Sequence, residues 1–157
     1  MNFDASQQEI APITEALGRD HDRLASLEAS AFAARDQGDF AAGTQLFERF
    51  ARELERHIAF EEELLFPIVE REMGLTSGDG PTAVMREEHV QIRLLLGEIA
   101  PGMKDPDAPV EGRRQALGAV LQEHNMKEEQ ILYPMADQAL GRERAGLLAR
   151  EIETFRR

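Results

Sequence analysis

Four histidines and no cysteine occur in the 157 residues, so metal or acid–base chemistry here must rest on imidazole and oxygen groups. The histidines are His21, His57, His89 and His124, and each lies on an apolar stripe. Leu17 and Leu24 flank His21, while Phe50, Leu54 and Phe60 share the face of His57. Met85, Ile92 and Leu96 accompany His89, and Leu117, Val120, Leu121 and Ile131 accompany His124. Offsets of three, four and seven fall on one side of an α-helix, so all four imidazoles are expected to face a shared interior.

Two of them have a carboxylate one helical turn later, Glu61 after His57 and Glu128 after His124. An i, i+4 pair shares one face, as two ligands of one site require. The stronger signal is repetition. HIAFEEELLFP, from His57 to Pro67, matches HNMKEEQILYP, from His124 to Pro134, at His, both Glu, Leu and Pro, with Phe66 opposite Tyr133. The chain reads as two similar helical hairpins, each giving one His from its first helix and an H-x-x-x-E pair from its second. Two carboxylates and four imidazoles in an apolar interior carry a heavy desolvation penalty, which bound cations offset. Six N and O donors exceed the four of a tetrahedral zinc and suit two metals about 3.5–4 Å apart. Imidazole and carboxylate without thiolate favour iron, with manganese or zinc as alternatives.

The elements that must position these residues are helices. Glycine and proline divide the chain into segments with period three to four, and no stretch alternates as a strand would. The first helix is expected from near Thr14 to about Gln37, and the second from Phe40, capped by Asp39, to about Met73 with a bend at Pro67. A third runs from near Pro81 to about Ala100 and a fourth from about Val110 to Leu140; a short charged helix follows. Short loops make neighbours antiparallel, so the expected architecture is all-α: an up-down-up-down antiparallel four-helix bundle with a short C-terminal fifth helix. One domain is expected over residues 1–157, with the bundle core at about 13–140 and the last helix at about 142–156. At 1.5 Å per residue, His21 and His57 sit ~26 and ~28 Å from the turn at Gly38, and are therefore level.

The order H … HxxxE … H … HxxxE, with a doubled Glu and a following L-[FY]-P, resembles the hemerythrin-like HHE cation-binding domain family over roughly residues 13–155. The resemblance implies a four-helix bundle holding two iron ions joined by an oxo or hydroxo bridge, with His21, His57, Glu61, His89, His124 and Glu128 as ligands. Oxygen-carrying members use a fifth histidine four residues after the first on the third helix. Arg93 stands there and the chain has no other histidine, which argues against reversible oxygen carriage. A branch that repairs iron–sulfur clusters uses a four-His, two-Glu site together with essential cysteines, and this sequence has no cysteine.

The expected activity is binding or sensing of a small ligand such as O2, NO or peroxide, in storage or stress protection, by a metal-binding protein more than a turnover enzyme. Two alternatives remain: a di-iron enzyme of peroxidase, oxidase, nitric-oxide-related or iron–sulfur-repair-like type, and a metal-free helical interaction module. The formal charge of −12 argues against nucleic-acid or anionic-lipid partners. No secretory signal or spanning segment is read at the sequence level, so a cytoplasmic location is expected, and a helix-mediated homodimer stays open. Around the site, Glu62 and Glu129 are expected in solvent and Tyr133 in packing, because α-helical rotation carries them off the ligand face. Asp20, Asp22, Glu88 and Gln91 flank ligands and could orient imidazole N–H groups. Glu28 could gate or extend the site, although surface pairing is its expected role, and Leu17, Leu24, Leu54, Met85, Ile92 and Leu121 are expected to exclude water. The basic residues Arg142, Arg144, Arg150, Arg156 and Arg157 alternate with acids and read as a solvated face.

Overall fold

The period-three-to-four pattern resolves into helices throughout a computed structural model that describes residues 11–155; Arg156, Arg157 and the N-terminal residues 1–10 lie outside the described residues. The helices are α1 (Pro12–Asp36), α2 (Phe40–Phe60), α3 (Phe66–Met73), α4 (Gly80–Ile99), α5 (Glu111–Lys127), α6 (Tyr133–Leu140) and α7 (Arg142–Thr154). Two π-helical turns, Glu61–Leu65 and Glu128–Leu132, fuse α2 to α3 and α5 to α6, and a 3₁₀ turn, Ala100–Lys104, ends α4. No strand occurs among the described residues.

The stops are local. Gly38 and Gly74 adopt φ of +86° and +66°, the left-handed conformation that ends α1 and the α2–α3 rod. Asp39 caps α2 by accepting the Ala42 N–H at 3.0 Å. The first helix begins two residues before the expected start near Thr14. The helix starts at Pro12, and its exposed N–H groups are satisfied from a distance: Asp137 of α6 accepts from the Ile13 and Thr14 amides at 2.9 and 3.0 Å and from the Thr14 hydroxyl at 2.7 Å.

Helix α1 packs on α2, α6 and α7, and α4 packs on α5, to give a helical bundle. The apolar faces form two clusters. One gathers Leu17, Phe60, Leu65, Met85 and Leu132; the other gathers Leu24, Phe50, Leu54, Ile92 and Leu121. Each rod contributes to both, and a histidine stands close to the changeover: His21 between Leu17 and Leu24, His57 next to Ile58 and three residues before Phe60, His89 between Met85 and Ile92. The six expected water-excluding residues are all buried. No described helix is long and apolar enough to cross a membrane.

Because Asp137 joins the end of α6 to the start of α1, Asp137→Ala should lower stability by about 1–2 kcal/mol, as losing an N-cap does, while Asp137→Asn should recover part of it. Urea denaturation measures both.

Candidate metal centre

The four imidazoles come from α1, α2, α4 and α5, and both glutamates from the first residue of a π turn. Glu61, Glu128 and His89 have no solvent exposure, and His57, His124 and His21 are 1%, 3% and 5% exposed. The Nε2 atoms converge. His89 Nε2 lies 3.2 Å from His124 Nε2; Glu61 Oε1 lies 3.4 Å from the Nε2 atoms of both His57 and His89. Glu128 Oε1 is 3.2 Å from His21 Nε2 and 3.1 Å from His124 Nε2. Donor atoms of Glu61, His89, His124 and Glu128 form one group within 4.8 Å of one another, and those of His21, His57 and Glu128 form a second. All six sequence-predicted residues are thus brought together, in two groups that share Glu128.

What aims the rings is on their other side. Asp20 on α1 accepts from His57 Nδ1 at 2.7 Å, and Glu62 from His89 Nδ1 at 2.9 Å. Glu129 lies 3.3 Å from His21 Nδ1, and Glu88 on α4 stands 3.7 Å from His124 Nδ1, beyond hydrogen-bond length. Each carboxylate reaches a histidine on the next rod, so the contacts close a ring from α1 to α2, α4, α5 and back to α1. Cations back three of these four: Arg23 on Asp20, Arg93 on Glu62 and Lys127 on Glu88. A carboxylate on Nδ1 fixes the tautomer with its lone pair at Nε2 and raises imidazole basicity. Arg93, at the place of the fifth histidine, has its guanidinium committed to Glu55 and Glu62.

Four residues behave otherwise than helical rotation suggested, and one of them, Ile131, expected on the His124 face, is 58% exposed. Tyr133 is at the centre of the cluster: its hydroxyl lies 2.8 Å from Glu61 Oε2, 2.9 Å from Glu128 Oε1, and 3.2 and 3.3 Å from the Nε2 atoms of His21 and His57. Glu62 and Glu129 face His89 and His21 and not open solvent alone. The cause is the π turn. The Phe66 and Tyr133 amides bond to the carbonyls of Glu61 and Glu128, five residues back. One extra residue in the turn swings the succeeding side chains by about 100°, returning position +5 to the side that α-geometry leaves. Pro67 and Pro134 supply the reason for the turn, since a proline ring clashes with the carbonyl four residues earlier in a regular helix. The pairing of EE with a proline five residues after the second Glu was the sequence signal for this. Among the other flanking residues, Asp22 and Gln91 are exposed, whereas Asp20 and Glu88 face imidazoles.

Electrostatics follow from burial and pairing. Burial pulls the His21 imidazole down, but the hydrogen bond and charge of Glu128, then the charge of Glu61, outweigh it and push it up to about 9. For His89 burial again opposes, and Glu61 and Glu62 push it up to about 9. Burial, then repulsion from Glu128, raises the Glu61 carboxyl. Burial would raise Asp20 and Glu62 too, yet bonds to His57 and His89, with help from Arg23 and Arg93, hold both down at about 2.

These shifts set the pH response of the chain stripped of metal. A histidine raised from 6.5 to about 9 gives stability that is complete below pH 6.5 and is lost as pH rises through 9. Asp20 and Glu62, lowered from 3.8 and 4.5 to about 2, give stability that is present above those ordinary values and is lost as pH falls toward 2. The urea midpoint of the chelator-treated protein should therefore fall between pH 6.5 and 9, and a midpoint that climbs over that interval would contradict the imidazolium–carboxylate pairing.

The donor set fits a cation. The buried oxygens Glu61 Oε1 and Glu128 Oε2 have no hydrogen-bond partner. The Tyr133 hydroxyl has one proton for the two carboxylates and two Nε2 atoms around it, which leaves lone pairs converging without a donor. No curated protein and no solved structure gives a significant match to the chain. A family profile described as hemerythrin HHE cation binding domain does match, over residues 12–136. The match takes in all four rods that carry the cluster, and the chain belongs to the hemerythrin HHE cation-binding domain family.

Proposed function

We propose that this chain is a di-iron protein that binds or senses a small ligand such as O2, NO or peroxide in stress protection. The observation that carries the reading is the ring of carboxylates on the Nδ1 side of the imidazoles, which turns four Nε2 atoms toward two fully buried glutamates. His21 and His57 would hold one ion, His89 and His124 the other, and Glu61 and Glu128 both. In this reading the chain is one domain of up-down-up-down topology. An iron pair, when bound, supplies electrons to a diatomic or peroxide ligand.

The chain's own residues do the rest. Asp20 and Glu62 keep the proton on Nδ1 of His57 and His89, so Nε2 stays free to bind. Leu17, Met85 and Ile92, each 3% exposed or less, keep bulk water from the donors. A groove of about 520 Å³, lined by His21, Leu24, Glu28, Leu54, Leu121 and Glu129, reaches the edge of the His21 ring and gives a small molecule a route from solvent. Burial raises the Glu28 carboxyl in that groove, against the opposing charge of Arg114. With Arg93 held by Glu55 and Glu62, no fifth imidazole is on offer, and the reading favours capture or sensing over reversible O2 carriage.

Anaerobic Fe(II) loading of the apoprotein should give two iron per chain by metal analysis, with a visible spectrum that changes on adding O2, NO or azide. Fewer than two would sink the dinuclear reading. His57→Ala or His124→Ala should lower iron content and the iron-dependent rise in Tm together, since metal stabilises only the state that binds it. Asp20→Asn should leave the fold in place and weaken iron affinity by about 10–100-fold, the usual effect of losing a partner behind a ligating imidazole.

A further inference from the structure

The two halves of the centre are not equivalent. The repeats place Phe66 and Tyr133 at matching positions, one residue before Pro67 and Pro134. Phe66 lies parallel to the His89 ring, with centroids 5.8 Å apart and an 8° interplanar angle, and brings no polar atom to the His89–His124 half. Tyr133 carries its hydroxyl into the other half, 3.2 and 3.3 Å from the Nε2 atoms of His21 and His57. Donors bound at right angles to one ion at ~2.1 Å stand about 3 Å apart, so this oxygen already has the spacing of a third ligand beside the two imidazoles. The residue is fully buried, and both carboxylates lie within 2.9 Å of the same oxygen.

We propose that Tyr133 is itself a metal ligand, its phenolate oxygen binding the ion held by His21 and His57. The inference rests on the di-iron reading above and adds a seventh protein donor to it. As the metal binds, the phenol O–H bond breaks, an oxygen–metal bond forms and the proton passes to solvent; no electrons change hands. Phe66 offers the His89–His124 half no such donor.

Tyr133 is the only tyrosine in the chain, so wild-type protein reports on it without ambiguity. Fe(II)-loaded protein is oxidised with ferricyanide, and its visible and resonance Raman spectra are recorded beside those of Tyr133→Phe, with iron per chain measured on both. The expected result is a phenolate-to-iron(III) charge-transfer band with enhanced tyrosine ring modes in the wild type. Both should be absent from Tyr133→Phe, which should still bind two iron, since Phe66 shows that a phenyl ring fits the matching position. Two iron per chain with no phenolate band, or a band that persists in Tyr133→Phe, would overturn the proposal and leave the di-iron reading intact. A folded wild type that binds no iron would overturn both. If Tyr133→Phe fails to fold, the wild-type spectrum alone decides.

Discussion

Glu61 and Glu128 are buried without exposure in a bundle interior, and charge of one sign cannot stand there unless something positive stands beside it. The four imidazoles are arranged to admit that positive charge in either of two forms. Without metal, protons supply it, and His21 and His89 are accordingly held up near 9 by the carboxylates. With metal, the same nitrogens offer lone pairs, because the Nδ1 atoms face carboxylates of their own. A cation bound there would compete with those protons for one place, so its affinity would depend on pH.

The bundle is organised around that place. Two apolar clusters meet at the level of the histidines, so the polar layer is sealed from both directions along the rods. The ring of contacts from α1 through α2, α4 and α5 also joins each rod that bears an imidazole to the next. A carboxylate that aims an imidazole thus ties its own helix to the next one. Aiming imidazoles and holding the rods in register are a single task here, and Arg23, Arg93 and Lys127 stabilise the carboxylates from outside.

Much of this was legible in the sequence because helical periodicity is a local property. The rods, their glycine stops, the Asp39 cap and the six inward-facing His and Glu residues all follow from spacing at 100° per residue. Tyr133, Glu62 and Glu129 did not follow, because each lies beyond the first residue of a π turn, where that rotation fails. The cap of α1 was hidden for another reason: its acceptor, Asp137, is more than 120 residues away in sequence, and no local pattern announces it.

The repeat explains the shape of the centre, and its mismatches explain why the two halves differ. In both hairpins an acidic residue precedes the first histidine and a doubled glutamate follows the second, so one Glu faces inward and the other acids face neighbouring imidazoles. Asp20 grips His57 at 2.7 Å, while its counterpart Glu88 stands 3.7 Å from His124, leaving His124 Nδ1 buried without a hydrogen bond. The His57 ring is therefore held at both nitrogens, by a short bond behind and by the Tyr133 hydroxyl in front, whereas the His124 ring has close partners at Nε2 alone. The two halves of the centre therefore differ in three departures from symmetry: phenylalanine against tyrosine, aspartate against glutamate, and a short contact against a long one.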